Sequence, residues 1–331
     1  MKKILEINKI YNIDCLEGLK LLDDNSIDCC VTSPPYWGLR DYGVEGQLGL
    51  ESTPEEYVTK MVEVFREVKR VLRKDGTLWL NLGDSYAGYW GDKKAREENR
   101  PSMADTNGWT NGFNMNARPD FHNAFDEMKI KPKDLVGIPW MVAFALRADG
   151  WYLRQDIIWA KPNPIPESVK DRCTKSHEYI FLLTKSAQYY YDNEAIRETA
   201  KNANKTISLG EKSFSKRQAK GVGVEPSGNG KSDNYTVKEY RNKRSVWTVA
   251  TKPFKGAHFA VFPPALIEPC ILAGCREGGI VLDPFMGSGT TGLVAKQQNK
   301  NYIGFEMNSD YCDIANKRIN DQEAQMSLFK L

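Results

Sequence analysis

Apolar residues recur along this chain in two distinct periods. Between Glu55 and Leu72 they fall at Tyr57, Met61, Val64, Phe65, Val68 and Leu72, the spacing of one helix face. Thr53-Pro54-Glu55-Glu56 ahead of them carries the residue types of a helix start. Elsewhere the apolar residues come in short unbroken runs, as in strands covered on both faces. Ile27–Thr32 (IDCCVT) is one such run, stopped by prolines that a central strand cannot accommodate. Thr77–Leu82 (TLWLNL) is another, entered through turn chemistry at Lys74-Asp75-Gly76. The pattern further predicts a helix over about 133–149, strands over Trp151–Lys161 and His177–Lys185, and a helix over Phe262–Cys275. A strand over Gly279–Asp283, a helix growing out of Gly-rich 287–299, a strand over Asn301–Glu306 and a helix over Tyr311–Ala324 complete it. Strand, Gly-rich turn, helix and strand make a βαβ unit. The expected fold is α/β: a doubly wound, mostly parallel sheet with ligand loops at the carboxyl ends of its strands.

Two stretches interrupt this order. Residues 87–133 are rich in Asn, Gly, Asp, Lys and Arg with scattered aromatics, and read as a long functional loop or insertion. Residues 194–256 are basic: between Lys201 and Lys255 there are thirteen Lys or Arg against four Asp or Glu, while the whole chain carries only +3. A solvated linker and a polyanion-binding module both fit that charge. Tyr235, Tyr240 and Trp247, interleaved with the charges, favour folded structure. The expected organisation is one domain built from 1–193 and 257–331, with the insertion 87–133, and a separate region over 194–256.

Composition narrows the classes. The seven cysteines form no C-x-x-C pair and there are three histidines, so no zinc pattern and no metal are expected. Cys29 and Cys30 lie inside a buried run and read as core. The start MKKILEINKI is too short in its apolar run for a signal peptide, and the apolar stretch around Ile138–Leu146 is far short of the ~20 residues of a membrane span. A soluble, cytoplasmic protein with no membrane partner is expected.

Candidate chemistry sits at both ends of the chain. Gly287-Ser288-Gly289-Thr290-Thr291-Gly292 has the G-x-G-x-x-G spacing after a strand, and Glu306 ends the next strand, placed to accept from ribose hydroxyls. By itself this indicates a nucleoside-containing cofactor, NAD included. Asp283, four residues before Gly287, would repel a pyrophosphate but suits a cationic amine. S-adenosylmethionine offers a ribose, an adenine and an ammonium group without phosphate. Near the amino terminus, Thr32-Ser33-Pro34-Pro35-Tyr36-Trp37 follows a strand. The lone pair of an exocyclic base amine is delocalised into the ring. Two acceptors on its N–H groups, a Ser hydroxyl and a proline carbonyl held rigid by consecutive prolines, can pull it toward tetrahedral geometry. An adjacent aromatic ring can stack on an extruded base.

Ser33-Pro34-Pro35-Tyr36 resembles the (D/N/S)-P-P-(Y/F/W) motif of amino-methylating DNA methyltransferases, and Asp283-Pro284-Phe285-Met286-Gly287-Ser288-Gly289-Thr290-Thr291 resembles their cofactor motif. The order of catalytic motif, basic region and cofactor motif is similar to the permuted beta class. Asn12–Leu19 and His258–Pro263 match further family segments. The resemblance implies a Rossmann-like, class I S-adenosylmethionine-dependent methyltransferase acting on double-stranded DNA, with 194–256 as target-recognition region and a homodimer compatible with the family. It implies that Ser33 and the Pro34 carbonyl, stiffened by Pro35, grip the target amine and that Tyr36 stacks on the base. Trp37 either stacks or packs. It places Asp14, Cys15, Thr32, His258, Asp283, Phe285, Gly287, Gly289, Thr290 and Thr291 around the cofactor, with Glu306 on its ribose. In the family S-P-P-Y usually accompanies cytosine N4 methylation, whereas D-P-P-Y or N-P-P-Y usually accompanies adenine N6 methylation. Cytosine is therefore expected, with adenine as the alternative. A nicotinamide dehydrogenase would leave S-P-P-Y unexplained. An RNA or protein amine methyltransferase, and a non-catalytic DNA-binding relative, remain open.

Overall fold

The computed structural model describes residues 5–39, 44–87, 130–131, 133–201, 203, 206–208, 234–236, 239–251 and 261–328. The expected insertion 87–133 falls almost wholly outside these residues, as does His258.

The chain opens with β1 (Lys9–Asn12), α1 (Cys15–Leu21), β2 (Ile27–Thr32), α2 (Pro54–Val71) and β3 (Leu72–Leu82). In α2 Thr53 caps the helix by accepting from the Glu56 amide at 3.1 Å, Pro54 occupies the first turn, and Tyr57, Met61, Val64, Phe65 and Val68 are fully buried. β3 begins at the next residue, so Lys74-Asp75-Gly76, expected as a turn, is instead the irregular start of a strand. The register against β2 shifts between Ile27 and Cys29 at this point. A Cβ on Gly76 would lie 3.0 Å from the Asp28 carbonyl, a tight approach that glycine relieves beside the neighbouring backbone.

Next come α3 (Ile138–Ala148), β4 (Tyr152–Ala160) and β5 (His177–Thr184). The expected helix starts late because Lys133 has φ +78° and Leu135 bridges to Tyr86. The Gly137 and Ile138 amides then donate to Oδ1 of Asp84, at 3.0 and 3.1 Å, a cap supplied from elsewhere in the chain. After β10 (Val246–Thr248) follow α4 (Pro264–Gly274), β11 (Ile280–Asp283), α5 (Thr290–Gln297), β12 (Asn301–Glu306) and α6 (Ser309–Leu328). Between β5 and β10 lie β6 (Glu198–Thr199), β7 (Thr206–Ser208), β8 (Asn234–Thr236) and β9 (Tyr240–Arg241).

Among the described residues eight strands form one sheet in the order β1-β12-β11-β2-β3-β5-β4-β10. Every neighbouring pair is parallel except those of β5, which is antiparallel to both β3 and β4. Successive strand residues face opposite ways. Cys30, Leu78, Leu80, Leu282 and Phe305 share one core cluster with the buried sides of α1, α2 and α3. Cys29, Thr77 and Trp79 meet Gly274 of α4 on the other side, where Gly292 of α5 approaches Tyr302 and Ile319. Helices therefore cover both faces, and Cys29 and Cys30 are fully buried core residues. Among the described residues no helix is long and apolar enough to cross a membrane.

The chain forms two compact units, residues 1–191 with 245–331, and Asp192–Arg244. In the second, β6 pairs antiparallel with β9 and β7 with β8. Glu198 forms ion pairs with Arg241 and Arg244 at 3.4 and 2.9 Å. Trp247, at the end of the basic stretch, lies in β10 and so in the main sheet.

Candidate active site

Because the strands other than β5 run the same way, Thr32, Asp283 and Glu306 end their strands on one edge of the sheet. There β11 and β12, carrying the cofactor motif, stand beside β2, carrying Ser-Pro-Pro-Tyr.

Asp283 is 1% exposed and accepts from three donors within the protein. Its Oδ1 accepts from the Thr32 hydroxyl at 2.6 Å and the Phe285 amide at 3.0 Å, and its Oδ2 accepts from the Thr291 hydroxyl at 2.6 Å. Burial pushes its pKa up to about 6, against the pull of those donors. Glu306 accepts from the Gly287 amide at 2.8 Å and the Asn308 amide at 2.9 Å, and burial holds its carboxyl above the ordinary value. Gly287 and Gly289 take φ of +51° and +80°. A Cβ on Gly289 would come within 2.8 Å of Ala315, whereas one on Gly287 would meet only the Phe285 carbonyl at 4.0 Å, leaving that side open. Arg318 of α6 ties the loop down, donating to the Ser288 carbonyl at 3.1 Å and the Thr290 hydroxyl at 2.9 Å. Sequence reasoning did not single it out, since nothing in a helix face announces which loop it meets.

Asp14 follows β1 and caps α1, its Oδ1 accepting from the Leu16 and Glu17 amides at 2.9 and 3.1 Å. Cys15 is buried, which pushes its thiol up to about 12. Both stand next to the end of β12, where the Ile13 amide bonds the Glu306 carbonyl at 3.1 Å. Two carboxylates and one glycine, Gly287, open on one side suit the hydroxyls and cationic groups of S-adenosylmethionine. They suit a pyrophosphate poorly, because both Asp283 and Glu306 would repel it. Among the described residues no group of three potential metal ligands occurs.

On the Ser-Pro-Pro-Tyr side the loop after β2 is pinned residue by residue. The Tyr57 hydroxyl donates to the Pro35 carbonyl at 2.8 Å, and the Leu39 amide to the Tyr36 carbonyl at 3.3 Å. Among the described residues none donates to the Pro34 carbonyl. Trp37 is 3% exposed and donates to the Glu51 carbonyl at 2.9 Å, so of its two expected roles the structure shows packing. The Tyr36 ring lies on Gly83, where a Cβ would come within 2.6 Å of it. Its hydroxyl donates to Glu178 at 2.8 Å and to Asn81 at 3.2 Å, and accepts from the Ser33 hydroxyl at 3.4 Å. Burial, then the charge of Glu178, hold the Tyr36 phenol well above its ordinary value, so it stays neutral. Glu178 is also ion-paired with Lys161, whose ammonium lies 4.3 Å from the Trp159 ring centroid. Asn81 donates to the Tyr179 carbonyl at 2.9 Å and to Glu178 at 3.3 Å. Asn81, Lys161 and Glu178 carry no motif. A start of β5 at the sheet's carboxyl edge was the signal available, and it becomes readable once β5 is known to be antiparallel.

The DNA methylase family model matches residues 27–317. The chain is 45% identical over 324 residues to the type II methyltransferase M.Cfr9I of Citrobacter freundii, covering 97% of this chain and 91% of that protein. It is also 45% identical over 314 residues to M.SmaI of Serratia marcescens, covering 94% and 90%. The fold is similar to that of the PvuII DNA methyltransferase, described as cytosine-N4-specific, with a TM-score of 0.59 at 18% identity, covering 96% of this chain and 92% of that one. A putative DNA modification methylase of Thermus thermophilus, solved with S-adenosyl-L-methionine, matches with a TM-score of 0.55 at 20% identity, covering 95% and 93%.

Proposed function

The chain belongs to the DNA methylase family, whose methyl donor is S-adenosylmethionine, and from that premise we propose that it methylates the exocyclic N4 amine of a cytosine flipped out of duplex DNA at a specific site. The observation that carries this reading is the acceptor pair at the end of β2. Ser33 stands at the first motif position, and the Pro34 carbonyl is left without a donor among the described residues while its neighbours Pro35 and Tyr36 are bonded. Such a pair suits the two N–H groups of one amine, and holding it rigid reduces the entropy lost at the transition state. A hydroxyl at the first position is the form that the family resemblance associates with cytosine.

In this reading Tyr36 stacks on the flipped base, worth ~1–3 kcal/mol against an extrusion that costs a few. Glu306 holds the ribose hydroxyls and the open side of Gly287 admits the cofactor backbone. Asp283 supplies negative charge next to its cationic groups. Asp14, Cys15, Thr32, Phe285, Gly289, Thr290 and Thr291 shape the same pocket, and the basic region 194–256 holds the duplex through its phosphates.

The test is digestion and mass spectrometry of nucleosides from unmethylated duplex DNA incubated with the protein and labelled S-adenosylmethionine. Label in N4-methylcytosine is expected. Label in N6-methyladenine instead would overturn the base assignment, and no label in DNA, with label in RNA or protein supplied in parallel reactions, would overturn the substrate.

A further inference from the structure

Removing the amine proton raises a problem that the motif does not answer. When nitrogen takes the methyl group it becomes cationic until it sheds a proton, and a serine hydroxyl is a poor final base. No carboxylate stands at the first motif position to take it. The structure holds one two hydrogen bonds away. Ser33 donates to Tyr36 at 3.4 Å, and Tyr36 donates to Oε2 of Glu178 at 2.8 Å. The first of these is at the outer limit of a hydrogen bond, a length that catalytic contacts commonly show without substrate and shorten in the reactive complex.

Building on the cytosine reading, we propose that Ser33, Tyr36 and Glu178 form a proton relay, with Glu178 as the terminal base of methyl transfer and Lys161 and Asn81 as its positioning residues. The bond from the sulfonium to the methyl carbon breaks and its electron pair stays on sulfur. The amine lone pair forms the new N–C bond. The amine proton moves to Ser33 Oγ as the Ser33 proton moves to Tyr36 Oη and the Tyr36 proton to Glu178 Oε2. The products are the methylated amine, a neutral thioether and a protonated Glu178, which returns its proton to solvent. A sulfonium and a carboxylate are both neutralised in one step, and Lys161 keeps its positive charge beside the protonated Glu178 until that proton leaves.

Three features fit a relay better than a simple strut. The Tyr36 phenol is neutral and already donates toward the carboxylate. Asn81, fixed by its bond to the Tyr179 carbonyl at 2.9 Å, donates at 3.3 Å to Oε2 of Glu178, the oxygen that Tyr36 bonds, and so orients it toward the phenol. The charged groups facing Glu178 are Lys161, from the end of β4, and Lys175, from the segment before β5. Lys161 donates to Oε1, so the oxygen facing Tyr36 is Oε2, which it shares with Asn81.

The test compares single-turnover methyl transfer by the full-length protein and its Glu178→Gln, Tyr36→Phe and double variants, with cofactor and DNA affinities measured alongside. General base catalysis contributes about 10²–10⁴-fold. Glu178→Gln should lose at least about a hundredfold in rate with both affinities within about threefold of wild type. Tyr36→Phe should lose a similar factor, and the double variant no more than either single one, since links in series fail together. Glu178→Asp should recover part of the rate, which separates lost basicity from lost folding. Near-wild-type transfer by Glu178→Gln, or additive losses in the double variant, would overturn the relay and leave the cytosine reading intact. An adenine product from the wild type would overturn that reading and leave the relay comparison intact.

Discussion

The hydroxyl of Thr32, the last residue of β2, donates at 2.6 Å to Oδ1 of Asp283, the last residue of β11. Residues 251 positions apart thus lock the start of the Ser-Pro-Pro-Tyr loop to the start of the cofactor loop. A shift in one is transmitted to the other through a single buried carboxylate, whose second oxygen is held by Thr291.

Removing that donor while keeping the shape of the side chain isolates the link. Thr32→Val should destabilise the protein by about 1–3 kcal/mol near pH 8, the cost of stripping a partner from a buried ionised group. The loss should shrink near pH 5, where the carboxyl is mostly neutral. Chemical unfolding at the two pH values checks both halves. Equal losses at both would show that the carboxylate is not the partner that matters.

Burial raises the Asp283 pKa from 3.8 to about 6, which fixes the sign of a second effect. The folded value lies above the unfolded one, so with respect to this group the protein alone is most stable below about pH 4. That stability is lost as pH rises through 6. A cationic ligand beside Asp283 prefers the ionised form. S-adenosylmethionine affinity should therefore fall as pH drops below about 6, by up to about tenfold per unit, with proton release on binding. Calorimetry in buffers of different ionisation heat measures this. Asp283→Asn should weaken binding at neutral pH and flatten the profile.

Gly83 is the floor on which the Tyr36 ring rests, and a Cβ there would stand 2.6 Å from the ring. Gly83→Ala should displace Tyr36 and lower turnover by at least about tenfold while cofactor affinity holds, as 1 Å displacements at reacting groups can cost about 10². Ser33→Ala should give the same split. Cofactor binding lost together with turnover in either variant would place these residues on the wrong side of the site.

The pairing of Thr199 with Tyr240 offers a clean way to excise the basic stretch. Replacing residues 201–238 with an Asn-Gly turn joins β6 to β9 and spares β10, removing eight Lys or Arg against three Asp or Glu. DNA affinity should fall and its salt dependence flatten, each lost phosphate contact lowering the slope by about one, with cofactor affinity unchanged. Unaltered duplex affinity would rule the segment out as the recognition region.

The periodic and local features were legible in the sequence. The face of α2 from Tyr57 to Val68, the buried runs of β2, β11 and β12, and the Gly-rich entry to α5 each depend on residues within one or two turns of one another. So did the two motifs, whose glycines and prolines dictate backbone shape directly. Element ends were less legible, because they are set by partners elsewhere. Asp84 caps α3 from across the chain, and β3 absorbs Lys74-Asp75-Gly76 because Asp28 of β2 lies alongside Gly76.

Local sequence dictates which backbone can be a helix, a strand or a rigid loop, and which loops hold the two family motifs. Hydrophobic period and the φ preferences of Gly and Pro act over a few residues and need no partner. That Asp283 is held by Thr32, the Phe285 amide and Thr291, that Trp37 packs against Glu51, and that Glu178 meets Tyr36 across 142 positions follows from how the elements pack. Those contacts arise from strand order and direction. One antiparallel strand, β5, brings its beginning to the edge where its neighbours end, and that choice is made by the packing of the whole sheet.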